Sequence, residues 1–147
     1  MIKTEINRED ALQLLEVFKT FHQESQFKDE PFEPQRIWTL LDGSLKFPNN
    51  LFIAYDDQMR GFIGLAKQEH FFSGVPKVYD LGFYVAPDYR GSSLGIRLLA
   101  KAEEWATKIG AKDLTIFHNT GIDLDNAPRL FNRLGYNLDG YIFTKEL

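Results

Sequence analysis

The chain contains no cysteine. Disulfides, a thiol nucleophile and cysteine-ligated metal are therefore excluded, and an acyl-enzyme on sulfur is excluded with them. It has no excess of basic charge either. Seventeen Lys and Arg face 21 Asp and Glu, a net charge of −4, which argues against non-specific nucleic-acid binding, since such binding depends on basic surface. No apolar run is long enough to span a bilayer. The opening residues Met1-Ile2-Lys3-Thr4-Glu5 do not read as a signal peptide, so a cytoplasmic location is expected. The three histidines, His22, His70 and His118, show no metal-ligand spacing, and no metal is expected. Repeats, linkers and low-complexity stretches are lacking as well. The 147 residues read as one domain, 1–147, long enough to bury a core.

What is present is a regular alternation of patterns. Residues 2–6 alternate as a short strand. Asn7 suits a helix N-cap, with Glu9 and Asp10 in the first turn. Ala11, Leu14, Leu15, Phe18 and Phe21 recur at helical spacing, which predicts a helix over 8–24. A loop follows over 25–34, then a shorter helix from Gln35 to Leu41. Strands are expected at 51–55, 59–69 and 77–86, the first two joined by the turn Asp56-Asp57-Gln58. Leu94, Leu98, Leu99, Ala102, Trp105, Ala106 and Ile109 share one helical face, and Gly110 suits the C′ position. A strand at 114–117, a helix over about 125–134 and a tyrosine- and phenylalanine-rich strand over 136–145 complete the chain. The order β-α-α-β-β-β-α-β-α-β is an antiparallel meander leading into a β-α-β unit. That is an α+β fold with a mixed, mostly antiparallel sheet flanked by helices.

The stretch that carries chemistry is Tyr84-Val85-Ala86-Pro87-Asp88-Tyr89-Arg90-Gly91-Ser92-Ser93-Leu94-Gly95. An apolar strand ends at a proline, and an Arg- and Gly-containing turn leads straight into an amphipathic helix. Such a turn points free backbone N–H groups and a helix N-terminus at one place, which suits a phosphate or pyrophosphate. A Walker A loop needs a Gly-Lys-Ser/Thr ending, which is absent. A dinucleotide loop follows the first strand of a parallel sheet, whereas this turn follows the fourth predicted strand. Ser92 and Ser93 also have a plain alternative role as helix caps.

The run Val85-Ala86-Pro87-Asp88-Tyr89-Arg90-Gly91 and the later run Leu130-Phe131-Asn132-Arg133-Leu134-Gly135-Tyr136, in this order and separation, resemble the GNAT N-acetyltransferase superfamily over the whole chain. In the loop pattern (Arg/Gln)-x-x-Gly-x-(Gly/Ala), Arg90 and Gly95 match the ends and Ser93 takes the place of the middle glycine. Residues 21–27 and Asn119-Thr120-Gly121-Ile122 further resemble small acetyltransferases common in phage genomes. The resemblance implies acetyl-CoA as acyl donor. It would be bound by Phe83, Tyr84 and Val85, by Arg90, Gly91, Ser92, Ser93, Leu94, Gly95 and Ile96, and by Asn126 and Phe131. The strands at 77–86 and 112–118 would splay apart around the pantetheine arm, and an amide near Val85 would face the thioester oxygen.

The implied reaction is direct transfer of an acetyl group to a primary amine of a small molecule or protein, with pairing into a homodimer left open. Asp80 is the candidate base, with a structural carboxylate as the alternative; Glu69, His70, His118 and Glu24 are weaker candidates. The tyrosine that often protonates the departing thiolate in the family is replaced here by Phe131, so Tyr84, Tyr136, Tyr141 or water would have to serve. Other readings are a non-catalytic acyl-CoA-binding module and a phage-type enzyme acting on nucleic-acid bases. The acceptor is expected near Glu24, Asp29, Glu30, Glu33 and Glu69 with Phe27, Phe32, Trp38, Phe71 and Phe72, where acidic and aromatic groups would suit a cation. Ordinary solvated charges and core aromatics are the alternative there.

Overall fold

The computed structural model describes residues 1–118, 120–121 and 126–147. Helix α1 runs over Arg8–Glu24. Its start is set by Asn7, whose side chain accepts the Asp10 N–H at 2.8 Å, satisfying one of the orphan amides of a helix N-terminus. Asp10 in turn anchors the helix. Its carboxylate accepts from the Lys3 ammonium and from the buried Tyr55 hydroxyl, both at 2.8 Å. Lys3 holds the Asp10 carboxyl below its usual range, and burial pushes the Tyr55 hydroxyl up to about 12.

A five-stranded sheet is built from β1 (Ile2–Lys3), β2 (Leu51–Asp56), β3 (Gly61–Glu69), β4 (Pro76–Val85) and β5 (Leu114–Thr115), in that spatial order. All neighbours are antiparallel except β4 and β5, which are parallel. The antiparallel strands follow one another through short turns; the parallel pair needs the crossover helix α3 (Leu94–Lys108). One face of the sheet packs Ile53, Tyr55, Phe62 and Tyr84 against Ala11, Leu14 and Phe18 of α1 and Leu41 of α2 (Pro34–Lys46). The other packs Ala54, Ile63, Leu65 and Val78 against the apolar stripe of α3, the alternation that a sheet covered on both sides requires. The last helix, α4, spans Ala127–Arg133.

Four elements depart from the pattern-based expectation; the simplest is β5, which covers only Leu114–Thr115 rather than 114–117. Strand β1 covers only Ile2–Lys3 rather than 2–6, because the chain turns away toward α1 and the Glu5 carbonyl is taken by the Tyr55 hydroxyl. Helix α2 continues past Leu41 to Lys46. Gly43 lies inside the helix where Leu51 packs: a Cβ there would come within 2.8 Å of the Leu51 Cδ1. The strand expected over 136–145 is not formed. Residues 136–147 take neither helix nor strand, and Tyr141 and Phe143 are 79% and 91% exposed. High β-propensity does not make a strand without a ladder to join.

Candidate functional site

The sheet opens where β4 and β5 part. They pair only at Val78–Leu114 and Tyr79–Thr115. Two residues further on, the Phe117 N–H donates to the Asp80 carboxylate at 2.6 Å instead of to a main-chain carbonyl, so a side chain stands where the ladder would have continued. Strand β4 carries a bulge at the same level: Leu65 faces Asp80 and Gly64 faces Gly82, leaving Leu81 unmatched. The bulge reverses parity. Val78 lies on the α3 face and Tyr84, six residues on, lies on the α1 face.

A pocket of about 230 Å³ sits at this point. Its walls are Asp80–Phe83 of β4, Ile116–His118 beyond β5, and Phe21 and Phe27 from the end of α1 and the loop after it. Asp80 is largely shielded from water here, and that desolvation lifts its carboxyl to about 6, against the opposing hydrogen bond from Phe117. Sequence reasoning singled out Asp80, Phe83, His118 and Phe27, all of which line the pocket, but not Phe21 or Phe117. Only the divergence of two strands brings them together, and no local pattern records it. Of the expected acceptor-side residues, Glu24, Asp29, Glu30, Glu33, Glu69, Phe32, Trp38, Phe71 and Phe72 do not line this pocket.

Above Asp80, β4 keeps one edge on β3 and turns the other toward the split. The Ala86 N–H donates to the Arg60 carbonyl at 2.7 Å, in register with the Gly61–Val85 pair. Residues 84 and 86 therefore direct their backbone groups to β3, and by alternation Phe83 and Val85 direct theirs outward. These outward groups form a short strand edge, and edges of this kind accept extended amide-bearing chains. The Phe83 ring meets Phe131 of α4 edge-on, with 6.4 Å between centroids, and Phe131 also contacts His118 and Tyr136.

After Val85 a short 3-10 turn, Pro87–Tyr89, leads to Gly91 at φ +87° and then to Ser93, the N-cap of α3, at φ −74° and ψ −2°. The Ser92 hydroxyl donates to the Tyr89 carbonyl and accepts the Leu94 N–H at 3.3 Å. Ser93 makes no side-chain cap bond. The first helical bond runs from Arg97 N–H to the Ser93 carbonyl, so the amides of Gly95 and Ile96 precede the ladder and point out of the helix end. Ser93 has no need of a positive φ, so its departure from glycine carries no strain. Gly91 does need it. Gly91→Ala should lower stability by about 1–2 kcal/mol and distort the turn. Gly95→Ala should be tolerated, because a Cβ there meets Phe83 and Val85 at ordinary contact distances of 3.5 and 3.7 Å. Thermal melts of the two variants side by side check this contrast.

Arg90 does not project from the turn. Its Nε donates to the Val85 carbonyl at 2.9 Å and its Nη2 to Glu24 at 3.0 Å. Tyr84 is buried beneath it among Phe21, Phe62 and Phe18, with its hydroxyl pushed up to about 12 by burial and then by Glu24. It does not line the pocket around Asp80. The Tyr136 hydroxyl is committed to Glu103 at 2.9 Å. Asn126 precedes α4 and is exposed without acting as its side-chain cap. Asn119 and Ile122 of the phage-type stretch lie outside the described residues. Among the described residues, no cluster of His, Asp or Glu would hold a metal ion and no helix is long and apolar enough to cross a membrane.

A family model described as acetyltransferase (GNAT) family matches residues 11–136. No curated protein matches the chain. Solved structures share the fold from end to end. A Trypanosoma brucei acetyltransferase is 16% identical with a TM-score of 0.72, covering 100% of this chain and 99% of its own. The ribosomal-protein-alanine N-acetyltransferase of Brucella melitensis biovar Abortus 2308 is 14% identical with a TM-score of 0.71 and the same coverage of both chains. AAC(6')-Iy, in complex with the bisubstrate analogue CoA-S-monomethyl-acetylneamine, is 18% identical with a TM-score of 0.74, covering 100% of this chain and 97% of its own.

Proposed function

Because the chain belongs to the acetyltransferase (GNAT) family, whose members transfer acyl groups from acyl-CoA, we propose that it moves an acetyl group from acetyl-CoA directly to a primary amine, with Asp80 as the base. The observation that carries this reading is the desolvated Asp80 carboxylate at the opening of the β4–β5 split, next to the outward backbone edge of Phe83 and Val85. The complex of AAC(6')-Iy with a CoA-linked analogue supports the donor assignment.

The donor's fit rests on this chain's own groups. The N-terminus of α3 and the amides of the turn from Gly91 to Ile96 offer converging donors to a pyrophosphate. Gly91 supplies the left-handed backbone that the turn requires. The Phe83 and Val85 edge would pair with the amide-bearing arm, and the Val85 N–H is the group suited to the thioester oxygen, where charge develops as a tetrahedral centre forms.

A lysine-like amine, with a pKa of about 10.4, arrives almost wholly protonated near neutral pH. Asp80, or a water it orders, removes that proton. The amine nitrogen then bonds to the thioester carbon, the carbon–sulfur bond breaks as the nitrogen gives its second proton to water, and the CoA thiolate departs. Phe131 cannot protonate it, and with a thiol pKa of about 8.5 the thiolate leaves adequately as the anion. The test is a panel of primary amines assayed for free CoA release, beside thermal shift with acetyl-CoA. Turnover with at least one amine supports transfer. A thermal shift without turnover would make the chain a binding module, and no shift at millimolar acetyl-CoA would remove the donor assignment.

A further inference from the structure

We infer that Glu24 is a positioning residue for the donor site, and that Arg90 acts there as a strut rather than as a phosphate ligand. The inference rests on the reading of the turn before α3 as an acyl-CoA loop. An arginine in a phosphate-binding turn is ordinarily assigned to the phosphate, because its planar fork suits that group. Here the fork is already engaged by protein. Nε holds the Val85 carbonyl, the last outward carbonyl of β4, and Nη2 holds a Glu24 oxygen. The guanidinium also lies 5.8 Å from the centre of the Tyr84 ring.

Glu24 is the last residue of α1, 66 residues away in sequence. Its carboxylate stands beside the Tyr84 hydroxyl as well. The two paired side chains are 30% and 28% exposed, so the bridge is better shielded than an ordinary surface ion pair. Gly91, with its positive φ, immediately follows Arg90. The bridge therefore fixes the residue from which the left-handed turn departs, and with it the direction of the following amides. Pulling Arg90 toward a phosphate would break both bonds and leave an unpaired carboxylate close to a polyanion. Glu24 also lies between Phe21 and Phe27, which wall the Asp80 pocket, so one ion pair links that wall to the donor turn.

Calorimetric titrations of CoA and of pantetheine into wild type, Glu24→Ala, Glu24→Gln, Arg90→Gln and the Glu24→Ala/Arg90→Gln double variant test this. Amide hydrogen exchange of Gly91–Ile96 without ligand is measured in parallel. The strut predicts that Glu24→Ala weakens CoA binding by about 10-fold, that Arg90→Gln does the same, and that the double variant is no worse than either. Glu24→Gln, which keeps an acceptor, falls between, and pantetheine affinity changes little. Exchange in the turn speeds up in Glu24→Ala while melting temperatures stay close. Tighter CoA binding by Glu24→Ala would overturn the inference, since it would mean that a freed Arg90 reaches the phosphate. Additive losses, or unchanged exchange, would also overturn it. If wild type bound no CoA while exchange still sped up, the strut would stand and the donor reading would fall.

Discussion

Asp80→Asn is expected to lower turnover by about 10²- to 10⁴-fold, the usual worth of a positioned base, with acetyl-CoA affinity nearly unchanged. The substitution separates two roles held by one side chain. Asparagine still offers an oxygen to the Phe117 N–H, so the wedge that ends the β4–β5 ladder survives, but it cannot take a proton. Asp80→Ala removes both and should add a loss of stability. The pH dependence follows from burial. Folding lifts this carboxyl from 3.8 to about 6, so the folded state disfavours its ionised form. Stability from this group is full below pH 3.8 and declines as pH rises through about 6. At neutral pH the cost of keeping it ionised is of the order of 2–3 kcal/mol, and Asp80→Asn should recover part of it. Turnover runs the other way. The ionised form is the base, so kcat/KM should rise with pH through about 6 and then level off while the amine still arrives protonated. Chemical denaturation of both proteins at pH 5 and 8, beside the pH–rate profile, checks the two opposite trends. If Asp80→Asn kept full turnover, Asp80 would be a structural wedge and nothing more.

Gly95→Glu should reduce CoA affinity by at least about 100-fold without unfolding the protein. Gly95 is the second residue of α3, and its Cβ direction leads toward Phe83 and Val85 on the outward edge of β4. A carboxylate in the first turn of a helix is favourable in itself, so the helix should hold. Bound pyrophosphate would lie close to the new charge. Two unit charges about 5 Å apart at an effective dielectric of about 20 repel by about 3 kcal/mol. Gly95→Gln, similar in size and uncharged, should lose far less. Equal losses for Glu and Gln would assign the effect to bulk and would place the phosphates elsewhere. Calorimetry at low and high salt makes the comparison, since the charge effect shrinks with screening.

The difference between what was and was not legible beforehand has physical causes. The bounds of α1 were readable because a capping asparagine and a helical apolar period agree locally. The turn at Gly91 was readable because glycine, serine and a following apolar stripe report one backbone path. Leu81 is different: a bulge is a mismatch between two strands, and one strand's sequence does not record its partner's register. The Arg90–Glu24 pair is hidden for the same reason, since it joins positions 66 residues apart. A motif-based reading naturally sends Arg90 to phosphate, whereas the fold sends it to Val85 and Glu24. The 136–145 segment shows the converse. Tyr141, Ile142 and Phe143 carry strand propensity, yet they remain exposed, because a strand is a property of a pairing.

The most direct test of the donor site is an amide-resolved NMR titration of the wild-type protein with acetyl-CoA. The expected result is saturable shifts concentrated at Phe83, Val85 and Gly91–Ile96, with a single dissociation constant fitting them all. Shifts confined to other parts of the chain, or no shifts at millimolar acetyl-CoA, would contradict the assignment of the β4 edge and the α3 turn as the place where the acyl donor binds.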